Sequence, residues 1–214
     1  MLDKLKRILI LAPHTDDGEL GCGATISKLL RENVEVFYVA FSSCEESLEE
    51  GLPSDTLVKE LYEATGVLGI PKENVFVKSY KVRHFQESRQ QLLDDLILLD
   101  RQLNPDIIFM PSSRDIHQDH STVSSEGLRA FKKKTIFAYE LPWNNYSFHN
   151  QAFVSVDEND VEKKVSAIQQ YKSQHGRQYA KPDYIRSLLK THGVQIGVPY
   201  AEVFEIPRYV IKGR

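Results

Sequence analysis

The chain has 214 residues, 41% of them hydrophobic and 27% charged, with a formal net charge of -3 at pH 7. That length supports one sizeable core and falls short of two ordinary domains. So small a net charge implies no general affinity for nucleic acid or an anionic membrane. Two cysteines, Cys22 and Cys44, make neither a CxxC pair nor a disulfide framework and read as small core residues. No apolar run approaches membrane-spanning length, and the basic opening of residues 1–7 precedes an apolar run too short for a secretory signal. A cytoplasmic, reduced protein is expected.

In chain order, the run Ile8-Leu9-Ile10-Leu11 predicts a buried parallel strand over 7–12. The apolar spacing after it predicts a helix over 19–31. A second strand is expected over 34–41, then an acidic loop from Glu45 to Glu50, a helix capped by Ser54 or Asp55, and a short strand over 75–77. The stretch 88–103 is strongly amphipathic and stops at Asn104-Pro105. A fourth strand is expected over 106–111, a helix from about His120 to Lys133, a fifth strand over 135–141 and a sixth over 152–156. Helices are expected over 161–171 and 184–190, and residues 200–206 could close the sheet. Strands alternate with helices through the first two thirds, which argues a doubly wound, mostly parallel α/β sheet with helices on both faces in one domain over 1–214. The tail after residue 152 reads as less regular, packing as a cap.

Two clusters sit where strands end. Pro13-His14-Thr15-Asp16-Asp17 follows the first strand, and Arg114-Asp115-Ile116-His117-Gln118-Asp119-His120 follows the fourth. In an open α/β sheet ligands bind at that edge, and strands one and four are neighbours at the switch point. His14, Asp16 and Asp17 then face His117, Asp119 and His120. Such a nitrogen and oxygen donor set suits zinc, with iron or cobalt as other divalent candidates. Arg114, Arg83 and His84 are candidates to bind an anionic or hydroxyl-rich substrate, and Trp143 and Tyr146 could stack on a sugar. His149, His175 and His192 read as surface residues. Gly21-Cys22-Gly23 lacks the full spacing of a dinucleotide site.

The motif Pro13-His14-Thr15-Asp16-Asp17 followed by Gly21-Cys22-Gly23-Ala24-Thr25-Ile26, with His117-Gln118-Asp119-His120 later, resembles the PIG-L/LmbE family of zinc-dependent N-deacetylases. Tyr171-Lys172-Ser173-Gln174 and Tyr200-Ala201-Glu202-Val203-Phe204-Glu205 are similar to that family's C-terminal landmarks. The resemblance implies a Rossmann-like fold and hydrolysis of the acetyl amide of an N-acetyl amino sugar or its conjugate. It implies Zn2+ held by His14, Asp17 and His120, with Asp16 as general base, His117 stabilising the oxyanion and Asp119 orienting His117 or His120. Many members have proline where Thr15 stands and glutamate where Gly18 stands; Glu19 could supply that acid one position later. The acidic loop Cys44-Glu45-Glu46-Ser47 replaces a glycine-rich, arginine-bearing loop, which bears on substrate identity. Ser113-Arg114-Asp115-Ile116-His117 and Glu140-Leu141-Pro142-Trp143-Asn144-Asn145 resemble a branch associated with bacterial surface-polysaccharide genes. The competing readings are a metal-dependent phosphoesterase, which would want two metals and a Lys or Arg phosphate clamp, and a non-catalytic sugar- or nucleotide-binding protein on the same fold. The expected partner is a small N-acetyl sugar or conjugate, with no nucleic acid and no membrane span, and a homo-oligomer is compatible with the sequence.

Overall fold

The computed structural model describes residues 5–211. Seven strands form one sheet: β1 (Arg7–Ala12), β2 (Glu35–Ala40), β3 (Val75–Val77), β4 (Ile107–Pro111), β5 (Thr135–Tyr139), β6 (Ala152–Val156) and β7 (Tyr200–Arg208), in the order β3-β2-β1-β4-β5-β7-β6. β1 to β5 are parallel, and β7 runs antiparallel to both β5 and β6. The architecture is the expected α/β, Rossmann-like one, and the first five strands reverse direction of travel between β1 and β4, as a doubly wound sheet does.

The side chains of β1 alternate between two cores, because successive residues of a strand point to opposite faces. Ile8, Ile10 and Ala12 pack with α1 (Asp17–Arg31), α2 (Thr56–Leu68), α5 (Glu158–Ile168) and α6 (Pro182–Ile196). Leu9 and Leu11 pack with α3 (Arg89–Leu103) and α4 (Gln118–Ala130). A strand covered on both faces must be apolar throughout, and residues 8–12 are fully buried. Among the described residues no helix is long and apolar enough to cross a membrane.

Several details depart from the sequence reading. The tail after residue 152 is no irregular cap: β6 and β7 widen the sheet, with β7 inserted between β5 and β6. The last helix runs to Ile196, not Lys190, because Gly193 lets the following chain pass close; a Cβ there would lie 2.6 Å from the Val198 carbonyl oxygen. His192 is buried beside Glu140, 3.4 Å away, rather than on the surface.

α1 is bent at Cys22, whose backbone is non-helical (φ -147°). A kink strands carbonyls before it and amides after it, and these need partners when buried. Lys164 of α5 donates to the Leu20 carbonyl at 2.8 Å, and Glu202 of β7 accepts from the amides of Ala24 (3.1 Å) and Thr25 (2.6 Å). Lys164 and Glu202 are themselves 2.6 Å apart and almost wholly buried. Removing one partner leaves an uncompensated buried charge. Lys164→Met should therefore lower the unfolding free energy by about 3–5 kcal/mol, as read from urea denaturation.

Candidate active site

The loops beyond the carboxyl ends of β1 to β5, together with the segment between α5 and α6, enclose a cavity of about 300 Å³. Its floor is the two clusters that the sequence placed at strand ends. β1 and β4 are hydrogen-bonded neighbours, with Ile10 beside Phe109, so the chain leaves both strands at the same point of the sheet edge.

His14 Nδ1, Asp17 Oδ2 and His120 Nε2 form a triangle with edges of 3.3, 3.2 and 3.1 Å. The remaining nitrogen of each imidazole is held by a carboxylate. His14 Nε2 lies 3.0 Å from Asp119 Oδ2, and His120 Nδ1 lies 2.7 Å from Asp115 Oδ2. Those carboxylates fix the tautomers, since each takes the one N–H of a neutral imidazole. Three lone pairs then converge with no proton among them. That arrangement is repulsive alone and is what one cation needs; tetrahedral ligands at the usual zinc distances would stand roughly 3.3 Å apart. The residues present therefore fit a divalent metal. Without one, the same carboxylates favour protons: burial works against His14, but Asp17 and Asp119 prevail and push it up to about 9. Burial is likewise outweighed at His120, which Asp17 and Asp115 push up to about 10.

His117 offers a second way to count three donors, since it stands with His14 and His120 in one metal-capable group. Its chemistry points elsewhere. His117 caps α4, its Nδ1 accepting the Asp119 amide at 3.2 Å. Burial, then the charges of His120 and His14, push it down to about 4. A neutral imidazole accepting at Nδ1 carries its proton on Nε2, so His117 is a donor in the cavity wall.

Asp16 also lines the cavity. Its carboxylate makes no hydrogen bond to another described residue, and burial followed by the Asp17 charge pushes it up to about 6. A free carboxylate poised near neutrality can take and return a proton. Asp17, beside it in sequence, is instead held well below the usual carboxylate range: burial opposes this, and the charges of His120 and His14 overcome it.

Asp119 orients His14 rather than His117 or His120, and it does more: Oδ2 also accepts the Arg83 amide at 2.6 Å. Arg83 lines the cavity. Arg114 does not; the buried Glu205 (3.4 Å) and Ser147 (3.1 Å) hold it outside. His84 is half-buried against Glu87 at 2.6 Å and does not line the cavity. Trp143 lines the cavity stacked on Tyr179, with ring centroids 4.0 Å apart, whereas Tyr146 is exposed outside it. Of the acidic loop, Cys44 and Ser47 reach the cavity and the glutamates face away.

Sequence reasoning missed Asp115, Arg177 and the support beneath the site. Asp115 accepts both the His117 amide and the His120 ring; its place five residues before His120, in the same loop, was the available signal. Glu19 is fully buried, touching the hydroxyls of Tyr38 and Tyr171. Both hydroxyls also reach the Thr15 carbonyl, at 2.9 and 2.8 Å. Burial, against the two tyrosines, pushes Glu19 up to about 8. Gly18 and Gly21 let α1 approach this far: a Cβ on either would lie 2.4 Å from the Tyr38 ring or 2.3 Å from the Tyr139 ring.

Residues 9–131 match the family model described as PIG-L, GlcNAc-PI de-N-acetylase. The chain is 27% identical over 184 residues to the uncharacterized deacetylase YaiS of Escherichia coli, covering 80% of this chain and 93% of that protein. It is 24% identical over 222 residues to the diacetylchitobiose deacetylase of Thermococcus kodakarensis, covering 92% of this chain and 82% of that one. The solved structure of the conserved protein TT1542 from Thermus thermophilus superposes with a TM-score of 0.82 at 24% identity, over 98% of this chain and 97% of that one.

The donor triangle sets two expectations. His120→Ala should lose most bound zinc, as measured by elemental analysis of purified protein. Asp115→Asn keeps every donor but frees the His120 ring, and should weaken zinc binding about 10- to 100-fold in a chelator competition.

Proposed function

The chain belongs to the PIG-L, GlcNAc-PI de-N-acetylase, family, and from that membership we propose that it is a zinc-dependent hydrolase of the acetyl amide of an N-acetylated amino sugar or glycoconjugate. The observation that carries the reading is the triangle of His14 Nδ1, Asp17 Oδ2 and His120 Nε2 with the unpaired Asp16 carboxylate beside it in the same cavity. The naming of a relative for deacetylation of a diacetylated chitobiose supports the amino-sugar class. We assign the activity to a single domain over 1–214 acting in the cytoplasm, and surface-polysaccharide synthesis is its proposed setting.

An amide is a weak electrophile with a poor leaving group. His14, Asp17 and His120 would hold the zinc, which lowers the pKa of water to about 7 and polarises a carbonyl oxygen. Asp16 takes the proton of the attacking water and returns it to the departing sugar nitrogen, so that acetate and a free amine result. The Nε2–H of His117 donates to the oxygen that becomes negative as water adds. Asp119 and Asp115 keep His14 and His120 turned with their lone pairs inward. Trp143, backed by Tyr179, offers an aromatic surface for a sugar ring.

The two adjacent aspartates carry different tasks, and a matched pair of variants separates them. Asp16→Asn should keep zinc and lose about 10²- to 10⁴-fold in kcat. Asp17→Asn should lose zinc and activity together. Acetate release and metal content are measured on both; an active Asp16→Asn protein overturns the assignment.

A further inference from the structure

We propose that the substrate carries an anionic oxygen group, a phosphate or a carboxylate, and that Arg83 and Arg177 bind it. Arg7, Arg31, Arg89, Arg114, Arg129 and Arg186 are each paired with a carboxylate. Among the described residues Arg101 and Arg208 also lack a carboxylate partner, but only Arg83 and Arg177, both exposed, combine that with a place in the cavity lining. Among the described residues the Arg177 guanidinium donates only to the Gln174 side-chain oxygen, at 3.4 Å. They come from separate parts of the chain, the loop after β3 and the segment between α5 and α6, so no local helix pattern accounts for their meeting in one cavity.

The backbone at Arg83 is the second observation. Its φ is 69°, a left-handed conformation that a long side chain rarely adopts. Such a conformation persists only where its surroundings impose it, and it gathers at functional sites. Here Asp119, the carboxylate that orients His14, also takes the Arg83 amide at 2.6 Å and the Phe85 amide at 3.4 Å. One side chain thus fixes the loop bearing Arg83 in register with a metal-ligand candidate.

Charge decides what the pair would bind. Asp16 and Asp17 are the acids lining the cavity, and a divalent ion at the donor triangle balances them. The two guanidiniums are then in excess. A guanidinium recognises carboxylate and phosphate through paired N–H donors. The proposal takes the amide chemistry from the deacetylase reading, while the anion preference stands without it.

The test uses the zinc-loaded protein and matched sugars. Acetate release is compared for N-acetylglucosamine, its 1- and 6-phosphates and N-acetylmuramic acid. Binding of glucosamine and of its phosphates is measured by calorimetry. We expect kcat/KM and affinity at least about tenfold higher for a charged member, since a hydrogen bond to a charged group is worth about that factor or more. Preference for the phosphate or for the carboxylate arm identifies the group. Arg83→Gln and Arg177→Gln should each reduce the charged-to-neutral ratio by about tenfold, chiefly through KM. Equal treatment of charged and neutral members, or a preference that survives both substitutions, overturns the proposal. Charged-ligand binding without acetate from any sugar would sink the deacetylase reading and leave the arginine pair standing.

Discussion

Three electron-pair donors cannot be pressed to within 3.3 Å of one another unless something positive belongs between them or the fold compels it. Here the compulsion is visible. Asp119 and Asp115 each occupy one nitrogen of an imidazole, so a neutral His14 or His120 cannot turn its N–H inward, and only a cation between the donors or a second proton on each ring relieves the repulsion. The carboxylates that aim the rings are themselves anchored by amides of the Arg83 loop and of His117. Most of the cavity floor exists to hold this one electrostatically unfavourable grouping in place.

The support extends to the far end of the chain. Tyr171, just past α5, places its hydroxyl on the Thr15 carbonyl, within the loop that carries His14 and Asp17. Glu202 and Lys164 satisfy the bend in α1 that begins at Asp17. Glu205 holds Ser112 at 2.6 Å, at the start of the loop bearing His117 and His120. The motifs around Tyr171 and around Glu202 and Glu205 are therefore structural clamps on the two donor loops, although neither contributes a donor itself.

The strand-end clusters were legible because both signals are local: a continuous apolar run, then His and Asp where a parallel strand must stop. The adjacency of β1 and β4 followed from the doubly wound order. What stayed hidden depends on distant pairs. No spacing announces that Asp119 meets His14 across 105 positions, that Arg177 shares a cavity with Arg83, or that Glu205 draws Arg114 away from it. The insertion of β7 between β5 and β6 was equally illegible, because a short apolar run fits an edge or an interior position alike. The helix start at Asp17 rather than Glu19 was missed for a local reason: Gly18 looks like a turn residue, yet it is small because Tyr38 lies against it.

The position of β7 also imposes an order of assembly. Among the described residues β6 has no sheet partner other than β7, and Lys164 finds its carboxylate only on β7. During synthesis β1 to β5 can pair as soon as they emerge, but β6 and the buried ammonium of α5 must wait for a strand made some forty residues later. Until that strand arrives, the amides of Ala24 and Thr25 lack the carboxylate that accepts from them in the fold. The bend in α1 is therefore satisfied only once β7 has been made, which ties the first donor loop to a strand far along the chain.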